Sequence, residues 1–216
     1  MKKILLLAFP LLVTLVSTSK ATVGIGLTGG YFYDQSGSLL NSGTLALVAS
    51  TTDSSFNQLI SGGTLSENSF LATDELVLKT FSIGNDGTST NAFNIDQSSY
   101  TNLGAGDGLA IYWFPSLTAG STITDGTKYG FFTSVSGTPD SDAWTMASDG
   151  SSITLQFVTD AAGGSSSIPE ISGYANLTAV PEPATTVALL GGAAGLFVLC
   201  RRRRQKSHPA ASTAVA

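Results

Sequence analysis

Most of the chain lacks three residue types whose side chains commonly carry out chemistry. Between residues 22 and 180 there is no arginine, no histidine and no cysteine. Without histidine a Ser-His-Asp triad cannot be built there, and without cysteine thiol catalysis is excluded. Zinc and copper sites that use histidine or cysteine ligands are excluded on the same ground. Cys200, the only cysteine, cannot form an intramolecular disulfide and is interpreted as a passive apolar residue. The sequence therefore predicts no catalytic residue, no metal and no cofactor.

Positive charge is scarce in the same segment. The chain carries 10 basic and 15 acidic residues, a formal net charge of -5. Residues 22–180 hold only two of the basic residues, Lys79 and Lys128, against 14 acidic ones, which gives this segment a charge of -12. A phosphate backbone would repel such a domain, so nucleic acid is excluded as a partner. The basic residues are concentrated at the two ends, which are therefore interpreted separately from the middle.

The N-terminus has the three parts of a secretory signal peptide. Lys2 and Lys3 form a basic n-region, residues 4–16 form an apolar run, and Ser19-Lys20-Ala21 fits a small-x-small cleavage site. The apolar run is shorter than the ~20 residues that a membrane-spanning helix needs. We therefore predict a signal helix over residues 1–21, cleavage by signal peptidase after Ala21, and export of the remainder. A retained membrane anchor is the alternative.

A second apolar run lies near the C-terminus. Residues 184–200 form a stretch of 17 without a charge. As a helix this stretch is about 26 Å long, slightly shorter than a hydrocarbon core of ~30 Å, and flanking arginine stems can extend the span. By the positive-inside rule the arginines keep the C-terminus in the cytoplasm. We predict a transmembrane helix in the inner membrane with residues 22–180 outside. The predicted stop and orientation residues are Arg201, Arg202, Arg203 and Arg204.

A short rigid motif precedes this predicted span. In Val180-Pro181-Glu182-Pro183 the two prolines keep the backbone extended and prevent the helix from starting earlier. A protease or transpeptidase can bind such a stiff, unpaired segment, and a plain juxtamembrane linker is the alternative. The motif, the short Gly/Ala/Leu-rich span and the arginine cluster occur in an order and position that closely resemble the PEP-CTERM sorting signal. One small departure is that residues 205–216 follow the arginines, where many members stop sooner.

The resemblance implies export from a Gram-negative-type bacterium that makes exopolysaccharide. It implies that a membrane-embedded exosortase recognises Pro181, Glu182 and Pro183, removes the tail near the motif, and releases the protein to the cell surface or extracellular matrix. The expected partners are exosortase, signal peptidase and, transiently, the inner membrane, with extracellular polysaccharide as a candidate. The expected organisation is a signal peptide (1–21), an exported domain (22–179), the sorting signal (180–204) and a cytoplasmic tail (205–216).

The exported segment has the pattern of an all-β domain. It is rich in glycine, serine and threonine, and short apolar runs alternate with turn residues without a sustained 3.6-residue period. This predicts an antiparallel β-sandwich or jelly roll. Residues 56–71 are the least strand-like stretch and are expected to form a long loop or one short helix. The predicted strands fall at residues 31–33, 44–49, 76–83, 93–96, 109–114, 128–135, 153–157 and 171–177.

Two local patterns sharpen this prediction. Trp144 and Met146, the turn Asp149-Gly150, and the alternating apolar residues 153–157 predict a hairpin with one apolar face. The glycines at 24, 26 and 29 match G-x-G-x-x-G, but a signal peptide precedes them and an aromatic run follows. A dinucleotide site needs a preceding strand and a following helix. The glycines are therefore interpreted as a glycine-rich first strand.

The acidic residues allow two further kinds of site. Asp140, Asp142 and Asp107 could offer oxygen ligands to Ca²⁺, although no EF-hand spacing is present. A pair of acids could also serve a glycosidase, but the sequence does not place any two at a set separation. These acids are interpreted as ordinary turn residues.

Exposed aromatic side chains could stack on sugars, and Tyr112, Trp113 and Trp144 are the candidates. They are interpreted as core residues. The favoured hypothesis is a non-catalytic surface or matrix protein. The alternatives are a carbohydrate-binding module or glycan-active enzyme of the same fold, or a permanently anchored type I membrane protein. Burial of both tryptophans would count heavily against the glycan alternative.

Overall fold

The computed structural model describes residues 21–134, 136–137, 141–158 and 173–180. Within these ranges the chain forms eight β-strands and one 3-10 helix of three residues, and it contains no α-helix. The strands are β1 (Val23–Gly30), β2 (Thr44–Ser50), β3 (Glu75–Ser82), β4 (Ser89–Ile95), β5 (Gly108–Phe114), β6 (Lys128–Phe132), β7 (Ser152–Val158) and β8 (Leu177–Thr178). The short helix is Gln97–Ser99.

The strands form two sheets. One has three strands in the order β4-β1-β7, and the other has five in the order β3-β2-β5-β6-β8. This confirms the all-β class, and two stacked sheets fit a β-sandwich. The five-stranded sheet is antiparallel throughout, but β1 and β7 pair in parallel, with Gly24 opposite Ser152. The prediction of a purely antiparallel arrangement is wrong at this pair. A parallel pair needs a long crossover, and strands β2 to β6 lie between β1 and β7 in sequence.

A first core fills the space between the sheets. Strand β1 alternates buried Val23, Ile25 and Leu27 with half-buried residues, which is the period that one packed face requires. This confirms the interpretation of the glycine-rich segment as the first strand. Residues 31–33, in contrast, form no named strand, so the strand predicted there is wrong. Both sheets contribute to the first core, through residues that include Ile25, Leu27, Leu45, Leu47, Ile111, Trp113, Leu155 and Phe157.

A second core covers the outer face of the five-stranded sheet. Strands β2 and β5 are buried at every position, because the first core lies on one face and the second core on the other. The cover comes mainly from the loop of residues 51–74, which has isolated bridges but neither a named strand nor a helix. The prediction of a long loop is therefore confirmed. The second core includes Ala46, Val48, Leu59, Leu65, Leu71, Val77, Tyr112, Phe114, Ile123, Tyr129 and Ala179.

The predicted hairpin over residues 144–157 is wrong. The backbone of this segment bonds instead to the beginning of β5: the Leu109 N–H donates to the Trp144 carbonyl at 2.8 Å, and the Met146 N–H donates to the Asp107 carbonyl at 2.8 Å. Trp144 and Met146 are each 2% exposed, so the apolar face exists but packs in the first core. Strand β7 pairs with β1 and forms no hairpin with residues 144–146.

Several predicted features lie outside the described residues. These are most of the signal peptide, the transmembrane segment, the motif residues Pro181, Glu182 and Pro183, the arginine cluster 201–204, and Asp140. Ala21, the predicted cleavage residue, is exposed at the start of the described chain. In the part of the chain that the structure describes, no helix is both long and apolar enough to cross a membrane.

Candidate functional site

The three aromatic residues singled out from the sequence belong to the cores. Tyr112 is 1% exposed, Trp113 is 0% exposed and Trp144 is 2% exposed. Tyr112 and Trp113 are successive residues of β5, so they point to opposite faces: Tyr112 lies in the second core and Trp113 in the first. Their interpretation as core residues is confirmed, and they form no exposed strip for stacking on sugars.

Trp113 owes its position to a glycine on the neighbouring strand. Gly130 of β6 is its register partner, and a Cβ on that residue would lie 1.9 Å from Trp113 Cε2. The indole therefore occupies the space that any other side chain would fill. The rings of Phe32 and Phe157 also pack against it, with centroids at 5.1 Å and 5.3 Å. The Trp113 Nε1–H has no hydrogen-bond acceptor among the described residues.

Two of the acidic residues considered as calcium ligands accept hydrogen bonds from backbone N–H groups. Asp107 Oδ2 accepts the Gly104 N–H at 2.8 Å, and Asp142 Oδ2 accepts the Thr154 N–H at 2.7 Å. The third residue of that set, Asp140, is not among those described. Over the described ranges, no group of three or more His, Cys, Asp or Glu side chains is placed to hold a metal ion.

Two buried acids were missed by sequence reasoning. Glu75 is 0% exposed, and its Oε1 accepts the Asn57 N–H at 2.8 Å. Asp74 is 9% exposed, and its Oδ2 accepts the Ser50 hydroxyl at 3.0 Å. Both carboxylates fasten the 51–74 loop to the five-stranded sheet. The sequence signal was an acidic pair at the start of an apolar strand. This signal does not reveal which groups donate hydrogen bonds to the two carboxylates.

The structure assembles an aromatic pocket that the sequence did not reveal. The pocket has a volume of about 390 Å³ and lies where the 51–74 loop crosses the five-stranded sheet. Half-buried Phe56 and Phe131 contact each other with ring centroids 5.6 Å apart, and the exposed amides of Asn57 and Gln58 stand beside them. The pocket combines ring faces with amide donors and acceptors. Its lining is Phe56, Asn57, Gln58, Tyr112, Tyr129, Phe131 and Leu177.

The two tyrosines of the aromatic pocket have different hydrogen bonding. The Tyr129 hydroxyl accepts the Leu59 N–H at 3.1 Å, whereas the Tyr112 hydroxyl has no partner within the described part of the chain. Burial raises the pKa of Tyr112 above its usual value, and the negative charge of Glu75 adds to the effect. Burial also raises the pKa of Tyr129, partly opposed by its bond with Leu59. Both rings therefore stay neutral at physiological pH.

The last described residues form a clamp, defined here as residues 177–180. The Ala179 N–H donates to the Thr127 carbonyl at 2.9 Å, and the Ala179 carbonyl accepts the Gly126 N–H at 3.1 Å. On the other side the Val180 N–H donates to the Leu59 carbonyl at 3.0 Å, and the Val180 carbonyl accepts the Ser61 N–H at 2.8 Å. Every backbone donor and acceptor of these two residues is thus satisfied inside the fold. Leu177 of β8 also lines the aromatic pocket, so the clamp and the pocket share a wall.

Together these features define a two-sheet, all-β domain whose final clamp adjoins a proline-rich C-terminal segment. A family model for the PEP-CTERM protein-sorting motif matches residues 179–204. The resemblance is therefore confirmed: the chain is a PEP-CTERM domain-containing protein, exported and sorted by an exosortase, with a transiently membrane-anchored C-terminus. The match covers the C-terminal segment and does not extend over the two-sheet domain. No curated protein and no solved structure matches the chain.

Proposed function

We propose that the exported domain is a non-catalytic surface or matrix protein that associates with extracellular polysaccharide once its tail has been removed. The observation that carries this proposal is the aromatic pocket, on a domain that the sorting motif directs out of the cell. In the precursor the arginine cluster holds the C-terminus in the cytoplasm and the domain outside. Cleavage near Pro181, Glu182 and Pro183 then releases the domain.

The side-chain inventory supports a non-catalytic role. Residues 22–180 contain no histidine, cysteine or arginine. A glycosidase would need two carboxylates facing each other across the sugar-binding cleft, at a separation of about 5–9.5 Å. Glu75, the buried acid that faces the tyrosines of the aromatic pocket, is occupied by the Asn57 N–H. Burial of Trp113 and Trp144 argues against the glycan-binding strip that would have used them.

The chemistry of the aromatic pocket favours a neutral sugar. Its volume of about 390 Å³ lies in the ordinary range of small-ligand sites, ~300–1,000 Å³. Phe56 and Phe131 supply apolar ring faces for the C–H face of a sugar ring. The amides of Asn57 and Gln58 can both donate to and accept from hydroxyl groups. Because the exported segment carries a charge of -12, a neutral polymer should be favoured over an anionic one.

Affinity electrophoresis tests the association. The mature protein is run in native gels cast with a soluble neutral β-glucan, with anionic alginate, or with neither. We expect retardation by the neutral polymer, at least a fivefold loss of affinity in Phe131→Ala and Phe56→Ala, and little change in Tyr174→Ala. Tyr174 is an exposed aromatic residue, 38% accessible, that does not line the aromatic pocket. Equal mobility with and without the glucan would contradict the proposal, as would equal effects of all three substitutions.

The processing step has its own test. Mass spectrometry of surface material from an exosortase-bearing host should find protein that lacks Arg201 to Arg204. An intact tail there would favour the permanently anchored type I membrane protein.

A further inference from the structure

We infer that the processing bond lies on the C-terminal side of Val180, and that the clamp stays on the mature protein as part of its fold. This rests on the proposed removal of the tail, but it adds where the cut falls relative to the folded domain. The sorting-motif match begins at Ala179, so the motif and the domain overlap by two residues, Ala179 and Val180. For these two residues the structure shows which contacts belong to the folded domain.

The backbone of the clamp is not free to bind an enzyme. Proteases and transpeptidases that take a substrate as an extended strand need unpaired N–H and C=O groups on it. Ala179 and Val180 offer none, because two hydrogen bonds on each side tie them to residues 126–127 and to residues 59–61. The preceding residue is held as well: Thr178 pairs with Lys128 across β8 and β6, and its carbonyl accepts the Gln58 side-chain amide at 2.9 Å.

The side chains of the clamp are also part of the fold. Ala179 is 1% exposed and belongs to the second core, whereas Val180 is 36% exposed. Leu177 forms one wall of the aromatic pocket. The clamp is flanked on both sides by other segments, so removing it would expose the backbone partners at residues 59–61 and 126–127 together. Ala179 therefore belongs both to the matched segment and to the packed core of the domain.

The sequence changes character immediately after the clamp. Pro181 has no N–H, so it cannot continue the hydrogen-bond pattern that Val180 closes. The first peptide unit that an enzyme could take without dismantling the sheet is thus the one after Val180. Four residues of chain, from Val180 to Ala184, span at most about 14 Å. The cut must therefore fall within a short stretch between the finished fold and the apolar run.

The mature C-terminus tests the inference directly. The full chain is expressed in an exosortase-bearing host, and the C-terminal peptide of the surface protein is sequenced by mass spectrometry. We expect the chain to end at Val180 or a few residues later. An end at Thr178 or earlier would overturn the inference while leaving tail removal intact. An intact tail would instead show that the proposed processing itself fails, so the two failures are distinguishable.

An insertion gives an independent measurement without touching the fold. A Gly-Ser-Gly-Ser spacer placed between Val180 and Pro181 leaves the clamp unchanged and moves the motif away from it. If the enzyme cuts at or beyond the motif, the mature protein gains the mass of the spacer. Loss of the whole spacer together with residues of the clamp would overturn the inference.

A matched pair of substitutions tests whether the clamp is structural. Ala179→Asp places a carboxylate in the second core, and we expect the melting temperature of the mature protein to fall by at least ~5 °C. Val180→Asp places the same group at a half-exposed position of the same segment and should lower it by less than half as much. Equal small effects of the two substitutions would show that the clamp is dispensable for the fold, and would overturn the inference.

Discussion

The contact between Gly130 and Trp113 allows a quantitative prediction for the first core. A methyl group at residue 130 would lie 1.9 Å from Trp113 Cε2, 2.1 Å from Cζ2 and 2.5 Å from Nε1. Carbon atoms in favourable contact are ~3.5–4.0 Å apart, so the indole would have to retreat by about 1.5–2 Å. It has no room to do so, since Trp113 is 0% exposed and packs against Phe32 and Phe157. Overpacking of this kind costs ~1–3 kcal/mol.

Two terms set the expected size of the effect of Gly130→Ala. The steric cost should reach the upper end of that range, and the reduced entropy of the unfolded chain returns ~0.4–1 kcal/mol. The net loss is about 2 kcal/mol, which for a domain of this size lowers the melting temperature by ~4–8 °C. Thermal unfolding of the purified exported protein, followed by circular dichroism and tryptophan emission, measures this shift.

Gly104→Ala is the matched control. A Cβ at Gly104 meets nothing within 4 Å, and its φ is not in the left-handed region. The control should therefore melt within about 1 °C of the parent or slightly above it. If Gly130→Ala melts within ~1 °C of Gly104→Ala, the packing argument for Trp113 is refuted.

Two further predictions concern the tyrosines and an aspartate. Tyr129→Phe removes the acceptor of the buried Leu59 N–H and should cost ~1–3 kcal/mol, whereas Tyr112→Phe removes a hydroxyl without a described partner and should be neutral or stabilising in urea unfolding. A larger loss in Tyr112→Phe would contradict this. The Ser36 hydroxyl lowers the pKa of Asp34 from 3.8. The hydrogen bond between Ser36 and the ionised Asp34 therefore stabilises the fold above pH 3.8, and this stabilisation is lost as the pH falls below that value. Asp34→Asn should therefore narrow the difference between the urea midpoints at pH 7 and pH 3. An unchanged difference would count against it.

Local sequence patterns were sufficient for the strands whose faces are set by their own residues. Apolar runs at residues 44–49 and 109–114 predicted strands where β2 and β5 lie, and alternation predicted β7. Pairing was not predictable in the same way. The parallel contact between β1 and β7 joins residues such as Gly24 and Ser152, whose separation in sequence hides the pairing. For the same reason Trp144 was assigned to a hairpin with its neighbour, although its carbonyl bonds to Leu109 of β5.

The two parts of the candidate site differ in how far the sequence reveals them. The sorting motif is contiguous, so its residues could be identified without a structure, and the family match confirms it. The aromatic pocket is built from a loop residue, Phe56, a strand residue, Phe131, and Leu177 near the end of the fold. No spacing rule connects these positions. They meet because the 51–74 loop lies over the sheet, held there by the carboxylates of Asp74 and Glu75 and by the backbone bonds of Leu59 and Ser61 with Val180.

The position of β8 links folding of the domain to its sorting. Strand β8 closes the edge of the five-stranded sheet beside β6, and Ala179 completes the second core. The clamp is also the last part of the domain to be synthesised, directly before Pro181. Strand β8 can therefore complete the sheet only once the rest of the domain has been synthesised. Because Val180 is hydrogen-bonded on both its N–H and its C=O, the closed fold reaches the residue immediately before Pro181. In a domain that fails to close, residues 177–180 would be unpaired next to the motif, and under the inference above the cut would then no longer be confined to the segment beyond Val180.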